Sequence, residues 1–276
     1  MKPISKSRIQ NSKFKIGQPA HSLIEALDLK DRELVSLVGA GGKTSLMFAL
    51  AKELQDRGSR VVTTTTTKIF YPTAEESPSV LLGDAGLLPE IASRLARRGQ
   101  VTWAAKHLPE NKLAGISLQD ISLLWSSCLT NYLIVEADGS ARRPLKAPNE
   151  REPVVPSDTT LFITVAGLSA LGKPLNENWA FRPEQISRLT GMALDEPIRL
   201  EGLASLIVHP QGGLKGWLPG MRILAFLNQA DDGPAREGGR ALAKEIVGKN
   251  NKIERVIVSR LKSLMQKEVL ILEVFD

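Results

Sequence analysis

The segment from Leu34 to Arg57 constrains this chain more than any other. Leu34-Val35-Ser36-Leu37-Val38 is a short apolar run of the kind that forms a buried strand. It passes into Gly39-Ala40-Gly41-Gly42-Lys43-Thr44. From Thr44 to Arg57 apolar residues recur at helical spacing (Leu46, Met47, Leu50, Ala51, Leu54), and Gly58 is placed to end the helix. Val61 to Thr66 is β-branched throughout and predicts a second strand. Strand, glycine loop, helix and strand form a βαβ unit, which requires a parallel sheet.

A glycine loop between a strand and a helix gathers backbone N–H groups and the positive helix end at one point, which suits phosphate. The expected fold is therefore α/β and P-loop NTPase-like, a mostly parallel sheet flanked by helices. Gly39, Ala40, Gly41, Gly42, Lys43, Thr44 and the following Ser45 are the expected contacts to ATP or GTP. Lys43 can reach the outer phosphates, and the Thr44 hydroxyl can ligate Mg²⁺. The usual Walker A spacing needs a glycine at position 37, where this chain has Leu37, so the loop is two residues short. This shorter form is similar to the loop of the Mur ligases and folylpolyglutamate synthetases. A dinucleotide fingerprint fits worse, because position 44 is threonine and no acid follows the second strand. The plain alternative is a glycine turn with an exposed lysine.

Leu133 to Asp138 is an apolar strand ending in two carboxylates. Strand side chains alternate, so Glu136 and Asp138 share one face. At the end of a parallel strand they are expected beside the glycine loop, one carboxylate as an Mg²⁺ ligand and the other orienting water. The residues leave the assignment open. The working reading gives Thr44 and Asp138 to the metal and Glu136 to the water; a helix cap or surface ion pair is the alternative. Thr63 to Thr67 and Lys68 close the second strand, expected next to the loop strand, with Thr66, Thr67 and Lys68 nearest to phosphate or metal. A plain threonine-rich strand is the competing reading. Asn228-Gln229-Ala230-Asp231 resembles the base-reading N-K-x-D motif of GTPases, with Gln229 in place of lysine; Asn228 and Asp231 are the candidates there, and a helix-capping Asp231 is the alternative. His209 sits in a glycine-rich loop, and no metal-binding histidine spacing occurs.

The alternation continues to the end of the chain. Strands are expected at 80–82, 100–105, 132–138, 161–165, 223–227 and 255–259, with an edge strand at 269–274. Helices are expected at 22–28, 88–98, 118–129, 183–189, 200–208 and 234–247. Residues 21–276 read as a single domain with an irregular insertion around 172–220. The net charge is +6, but the first 24 residues hold Lys2, Lys6, Arg8, Lys13 and Lys15 and no acid. Residues 1–20 are thus expected to be a flexible basic tail, or a contact to an acidic partner or membrane surface. Without that tail the chain is nearly neutral, which argues against a nucleic-acid module. The single cysteine, Cys128, excludes a disulfide framework and a cysteine-rich metal site. No apolar run approaches a membrane span, and no secretion signal is visible, so a cytoplasmic location is expected.

Together, Val38 to Thr44, Thr63 to Lys68 and Glu136-Ala137-Asp138-Gly139-Ser140 resemble the YqeC family. So do Pro144-Leu145-Lys146-Ala147-Pro148, Glu152-Pro153-Val154-Val155-Pro156, Arg182-Pro183-Glu184, His209 to Lys215 and Asn228 to Asp231. The resemblance runs from about residue 30 to residue 250. Members are described as accessory proteins for selenium-dependent molybdenum hydroxylases, or selenium cofactor biosynthesis proteins. It implies an NTPase role in maturing a selenium- or molybdenum-containing hydroxylase, which with the metal reading of Thr44 and Asp138 becomes an Mg²⁺-dependent one. Gln229 stands where the family often has lysine, and Asn149-Glu150-Arg151 where relatives tend to have a histidine. Lys146, with Arg142, is expected to meet phosphate or an anionic substrate as its proline-rich loop closes; a solvated connection is the alternative. Two other functions stay open: an ATP-dependent ligase or small-molecule kinase, with its acceptor near 172–220, and a nucleotide-responsive binding protein or chaperone with little turnover.

Overall fold

The apolar and β-branched runs find their partners in one ten-stranded sheet. The computed structural model describes residues 17–261 and 271–276. The strands are β1 (Gln18–Pro19), β2 (Glu33–Gly39), β3 (Val61–Thr65), β4 (Val80–Leu82), β5 (Gln100–Ala104), β6 (Tyr132–Glu136), β7 (Leu161–Gly167), β8 (Arg222–Asn228), β9 (Ile253–Arg260) and β10 (Ile271–Phe275). Their order across the sheet is β1-β10-β9-β8-β7-β2-β6-β3-β5-β4. Every neighbouring pair from β9 to β4 is parallel; β10 runs antiparallel to β9 and to β1.

Alternation along β2 sorts the helices into two outer layers. Val35 and Leu37 face α1 (Leu23–Ala26) and α2 (Lys43–Asp56), packing with Leu46, Met47 and Leu50. Leu34 faces the other way, in a cluster with Ile91 and Leu95 of α3 (Leu88–Arg98) and Ile121 and Leu124 of α4 (Leu118–Ser126). Val38 joins the cluster built by α5 (Pro183–Thr190), α6 (Leu200–Val208) and α7 (Gly233–Lys249). Leu37, Leu46 and Leu50 are fully buried, which stabilises the fold by about 2 kcal/mol each. Ser22, Ser117 and Asp232 cap the starts of α1, α4 and α7 through their side-chain oxygens. The α/β, mostly parallel architecture is as expected.

Two placements differ from expectation. The threonine strand β3 is not next to β2, because β6 pairs with both and lies between them. β6 is apolar on both faces, with Ile134 in one core and Leu133 and Val135 in the other, which is the composition of a central strand. β10 is not the sheet edge, because Gln18 and Pro19 pair outside it. Most of the expected basic tail, residues 1–16, lies outside the described residues.

Two small pairings escaped the sequence reading. Lys68–Phe70, Lys112–Ala114 and Lys106–Leu108 form an antiparallel three-stranded sheet, with Lys112–Ala114 in the middle. Leu145–Lys146 pairs in parallel with Ala180–Phe181. Among the described residues no helix is long and apolar enough to cross a membrane.

Candidate functional site

The glycines of the loop are demanded by what stands behind them. Gly39, Gly41 and Gly42 have φ of 94°, 85° and 129°, values that side-chain-bearing residues rarely adopt. A Cβ on Gly39 would fall 2.3 Å from the Val165 carbonyl oxygen, one on Gly41 2.3 Å from the Gly167 nitrogen, and one on Gly42 2.4 Å from Asn228 Nδ2. The loop is pressed against the end of β7, and the Ala40 N–H donates to the Val165 carbonyl (2.9 Å). No side chain caps the N-terminus of α2, so its first-turn amides face the space where an anion would sit.

The two carboxylates at the end of β6, Glu136 its last residue and Asp138 just past it, divide the space beside this loop. The Thr44 hydroxyl donates to Glu136 Oε2 (2.7 Å), while Asp138 Oδ2 accepts from the Gly39 N–H (3.1 Å). The Lys43 ammonium donates to the Gly39 carbonyl (2.6 Å) and lies 3.1 Å from Asp138 Oδ1 and 3.7 Å from Glu136 Oε1. All three charged side chains are buried. Burial pulls the Lys43 pKa down, but the Asp138 and Glu136 charges outweigh it and leave the ammonium above the ordinary lysine value. Burial likewise pushes the Glu136 carboxyl up, and Lys43 and the Thr44 hydroxyl only partly reverse this.

Lys146 does not reach into the open space at the loop. Its side chain is 1 % exposed, and its ammonium lies 2.9 Å from both Asp138 Oδ2 and Glu152 Oε2 and donates to the Gly139 carbonyl (2.6 Å). Glu152 also takes Arg182 Nη1 at 2.8 Å. Burial acts to raise the Glu152 pKa, but the Arg182 and Lys146 hydrogen bonds and charges bring it below the ordinary value. Lys43, Asp138, Lys146, Glu152 and Arg182 thus form one chain of alternating charge, running from the buried loop lysine to the partly exposed Glu152–Arg182 pair. A phosphate contact by Lys146 is replaced by burial in this chain, because two carboxylates hold it there.

The other candidates separate into support and lining. Thr65 and Thr66 spend their hydroxyls on the Glu136 and Val154 carbonyls (2.8 Å each). Thr67 and Lys68 line the cleft in front of the loop. Asn228 is buried, donates to the Gly41 carbonyl (3.0 Å) and accepts from the Leu261 N–H (2.9 Å). It shapes the loop from behind. Asp231 is exposed, and the neighbouring Asp232, not Asp231, caps α7. The His209 ring accepts from the Gln211 N–H (3.0 Å) and closes its own turn.

The cleft itself has a volume of about 660 Å³ and is lined by Gly41 to Ser45, Glu136 and Gln229. Its outer wall brings in Lys68, Phe70, Lys112, Arg142, Arg143 and Phe181. Arg142 follows Ala141 in a turn where both residues have positive φ, 61° and 48°, a conformation costing roughly 1 kcal/mol or more at each.

A comparison with known proteins bears on this site. The family model described as YqeC protein matches residues 35–184. The Escherichia coli (strain K12) protein described as "Uncharacterized protein YqeC" is 35% identical over 214 residues, covering 78% of this chain and 82% of its own. This chain belongs to the YqeC family. Among solved structures, the chloroplast FtsY of Physcomitrella patens aligns with a TM-score of 0.45 and 16% identity, covering 91% of this chain and 64% of that one. The chain therefore spans just under two thirds of that FtsY chain.

The YqeC match includes the loop, Thr66 to Lys68, Glu136, Asp138, Lys146 and Arg182, and stops short of Asn228 and Asp231. Mg²⁺ fits the donors present. Thr44, Glu136 and Asp138 offer hard oxygens, and Asp138 Oδ1 is buried with no aligned hydrogen-bond donor. Among the described residues no group of three or more His, Cys, Asp or Glu could hold a metal alone. Lys112, Phe70 and Phe181 had no signal in the sequence, because none belongs to a local motif.

Proposed function

We propose that this YqeC-family chain is an Mg²⁺-dependent NTP hydrolase that acts in maturing a selenium- or molybdenum-containing hydroxylase. The observation that carries the nucleotide half is the joining of Thr44 to Glu136 at the mouth of an uncapped helix. The hydroxylase half rests on the family resemblance of the motifs. In this reading the α2 amides and Lys43 bind the β- and γ-phosphates, and Lys43 exchanges carboxylate partners for phosphate oxygens. Thr44 and Glu136 hold Mg²⁺, which supplies charge neutralisation on the phosphates. Asp138, anchored by Lys146, keeps the loop and Lys43 in place. That assignment moves the metal from Asp138 to Glu136, because Glu136 is the carboxylate bonded to Thr44, and leaves Asp138 a positioning role.

The test is phosphate release from ATP and from GTP with Mg²⁺, on wild type and Glu136→Gln. The expected result is Mg²⁺-dependent release that falls at least tenfold in the variant. Nucleotide binding without release would favour the nucleotide-responsive binding protein. Release only with an added acceptor would favour a ligase or kinase, a second reading supported by the basic outer wall of the cleft.

A further inference from the structure

The cleft extends well past the phosphate loop, and its far end is basic. Sheet order fixes its two ends. β8, leading to Gln229, lies two places from β2 on one side; β3, leading to Lys68–Phe70, lies two places away on the other. Gln229 lines one end of the cleft, and Lys68, Phe70, Lys112 and Arg142 line the opposite end, with the phosphate loop between them.

The charges at that far end are only partly balanced by the protein, through Glu110. Lys43 is committed to Asp138 and Glu136. Among the described residues Lys68 and Arg142 have no carboxylate within ion-pair distance, and Lys112 meets only Glu110 at the hairpin turn. Phe70, 41 % exposed, gathers two of these cations against its ring, the Arg142 guanidinium at 4.2 Å and the Lys112 ammonium at 5.4 Å from its centroid. Cation–π contact holds like charges close that would otherwise repel. The Phe70 ring holds the guanidinium at the cleft wall, beside the left-handed Ala141-Arg142 turn, with no ligand present. Pre-set cations around one space match an anion, whose charge-assisted bonds a neutral molecule cannot make.

We propose that the Phe70 end of the cleft is a second binding subsite, for a small anionic molecule bearing phosphate or carboxylate groups. Lys68, Lys112 and Arg142 hold it alongside the outermost phosphate of the nucleotide. The subsite rests on the nucleotide reading above for its neighbour, and not for its own charges. It also moves the acceptor room from the 172–220 region to the hairpin.

The probe is pyrene-1,3,6,8-tetrasulfonate, followed by fluorescence polarisation on the full chain with Mg²⁺ and a saturating non-hydrolysable ATP or GTP analogue. Saturable binding is expected with the analogue present. It should weaken at least tenfold in Lys112→Ala/Arg142→Ala, with analogue affinity and melting temperature as in wild type. If the double variant folds poorly, Lys112→Gln alone is expected to weaken the probe at least threefold. Competition by inorganic phosphate against succinate tells which anion is preferred. The proposal is overturned if the analogue displaces the probe, or if the variants bind it as tightly as wild type. Failure of the nucleotide reading gives a different signal: the analogue does not bind wild type by calorimetry, while the probe still binds and is still lost in the double variant.

Discussion

Glu136 is pulled in opposite directions by its surroundings, and its titration makes that measurable. Burial raises its carboxyl above the ordinary glutamate value, Lys43 and Thr44 pull it back, and Asp138 pushes it up again. The folded protein therefore keeps this proton to higher pH than the unfolded chain does. By linkage, the contribution to stability is most favourable below the unfolded glutamate value, and it is lost as pH rises through the folded one. Urea denaturation of wild type and Glu136→Gln, without Mg²⁺ or nucleotide, checks this between about pH 4 and about pH 8. Wild type is expected to lose stability relative to the variant as pH rises. Parallel curves would remove the argument that Glu136 is strained by burial. Glu152 shifts in the opposite direction, but it is present in both proteins and drops out of the difference.

Between elements, the loop depends on β7, and the buried charge chain depends on two loops meeting. Gly41→Ala puts a methyl 2.3 Å from the Gly167 backbone at a φ of 85°, whereas Gly58→Ala, at 80°, meets nothing within 4 Å. The second substitution is expected to cost about 1 kcal/mol for its backbone alone, and the first at least 2 kcal/mol more. Equal losses in urea denaturation would contradict the close packing of loop on strand. Lys146→Met leaves Asp138 and Glu152 facing each other without their shared cation. A loss of roughly 3 kcal/mol is expected, partly restored by adding Glu152→Gln, and both are read by the same denaturation. No destabilisation in the single variant would show that the chain of charges is not structural. The elements with their own periodicity were legible in the sequence: α3 and α6 fall at their expected residues, and β2 and α2 frame the loop. Lys68–Phe70 and Lys112–Ala114 were not, because three-residue strands carry no alternation and pair across a long stretch of chain.

Across the whole molecule, the order of the sheet could not be read from the order of the chain. Reading neighbours in sequence as neighbours in space put β3 beside β2, but β6 arrives later and takes that place. This insertion sets Glu136 against Thr44, 92 residues earlier, and leaves Thr67, with Lys68, as the part of the threonine run that lines the cleft. The residues of the glycine loop were legible because their spacing is local; Lys146 was misplaced because its partners Asp138 and Glu152 come together only when the loop folds back. Asn228, a base-reading candidate in the sequence, is buried behind the loop and donates to the Gly41 carbonyl. What unites these levels is a loop fixed by β7 and Asn228 and facing a cleft lined with cations. The most direct measurement is calorimetric titration of the full chain with ATP and with GTP, with and without Mg²⁺, on wild type and Lys43→Ala. At least one nucleotide is expected to bind wild type in an Mg²⁺-dependent way, with affinity falling tenfold or more, ~1.4 kcal/mol, in the variant. Absence of binding by both nucleotides, or equal affinity in the two proteins, would contradict the account.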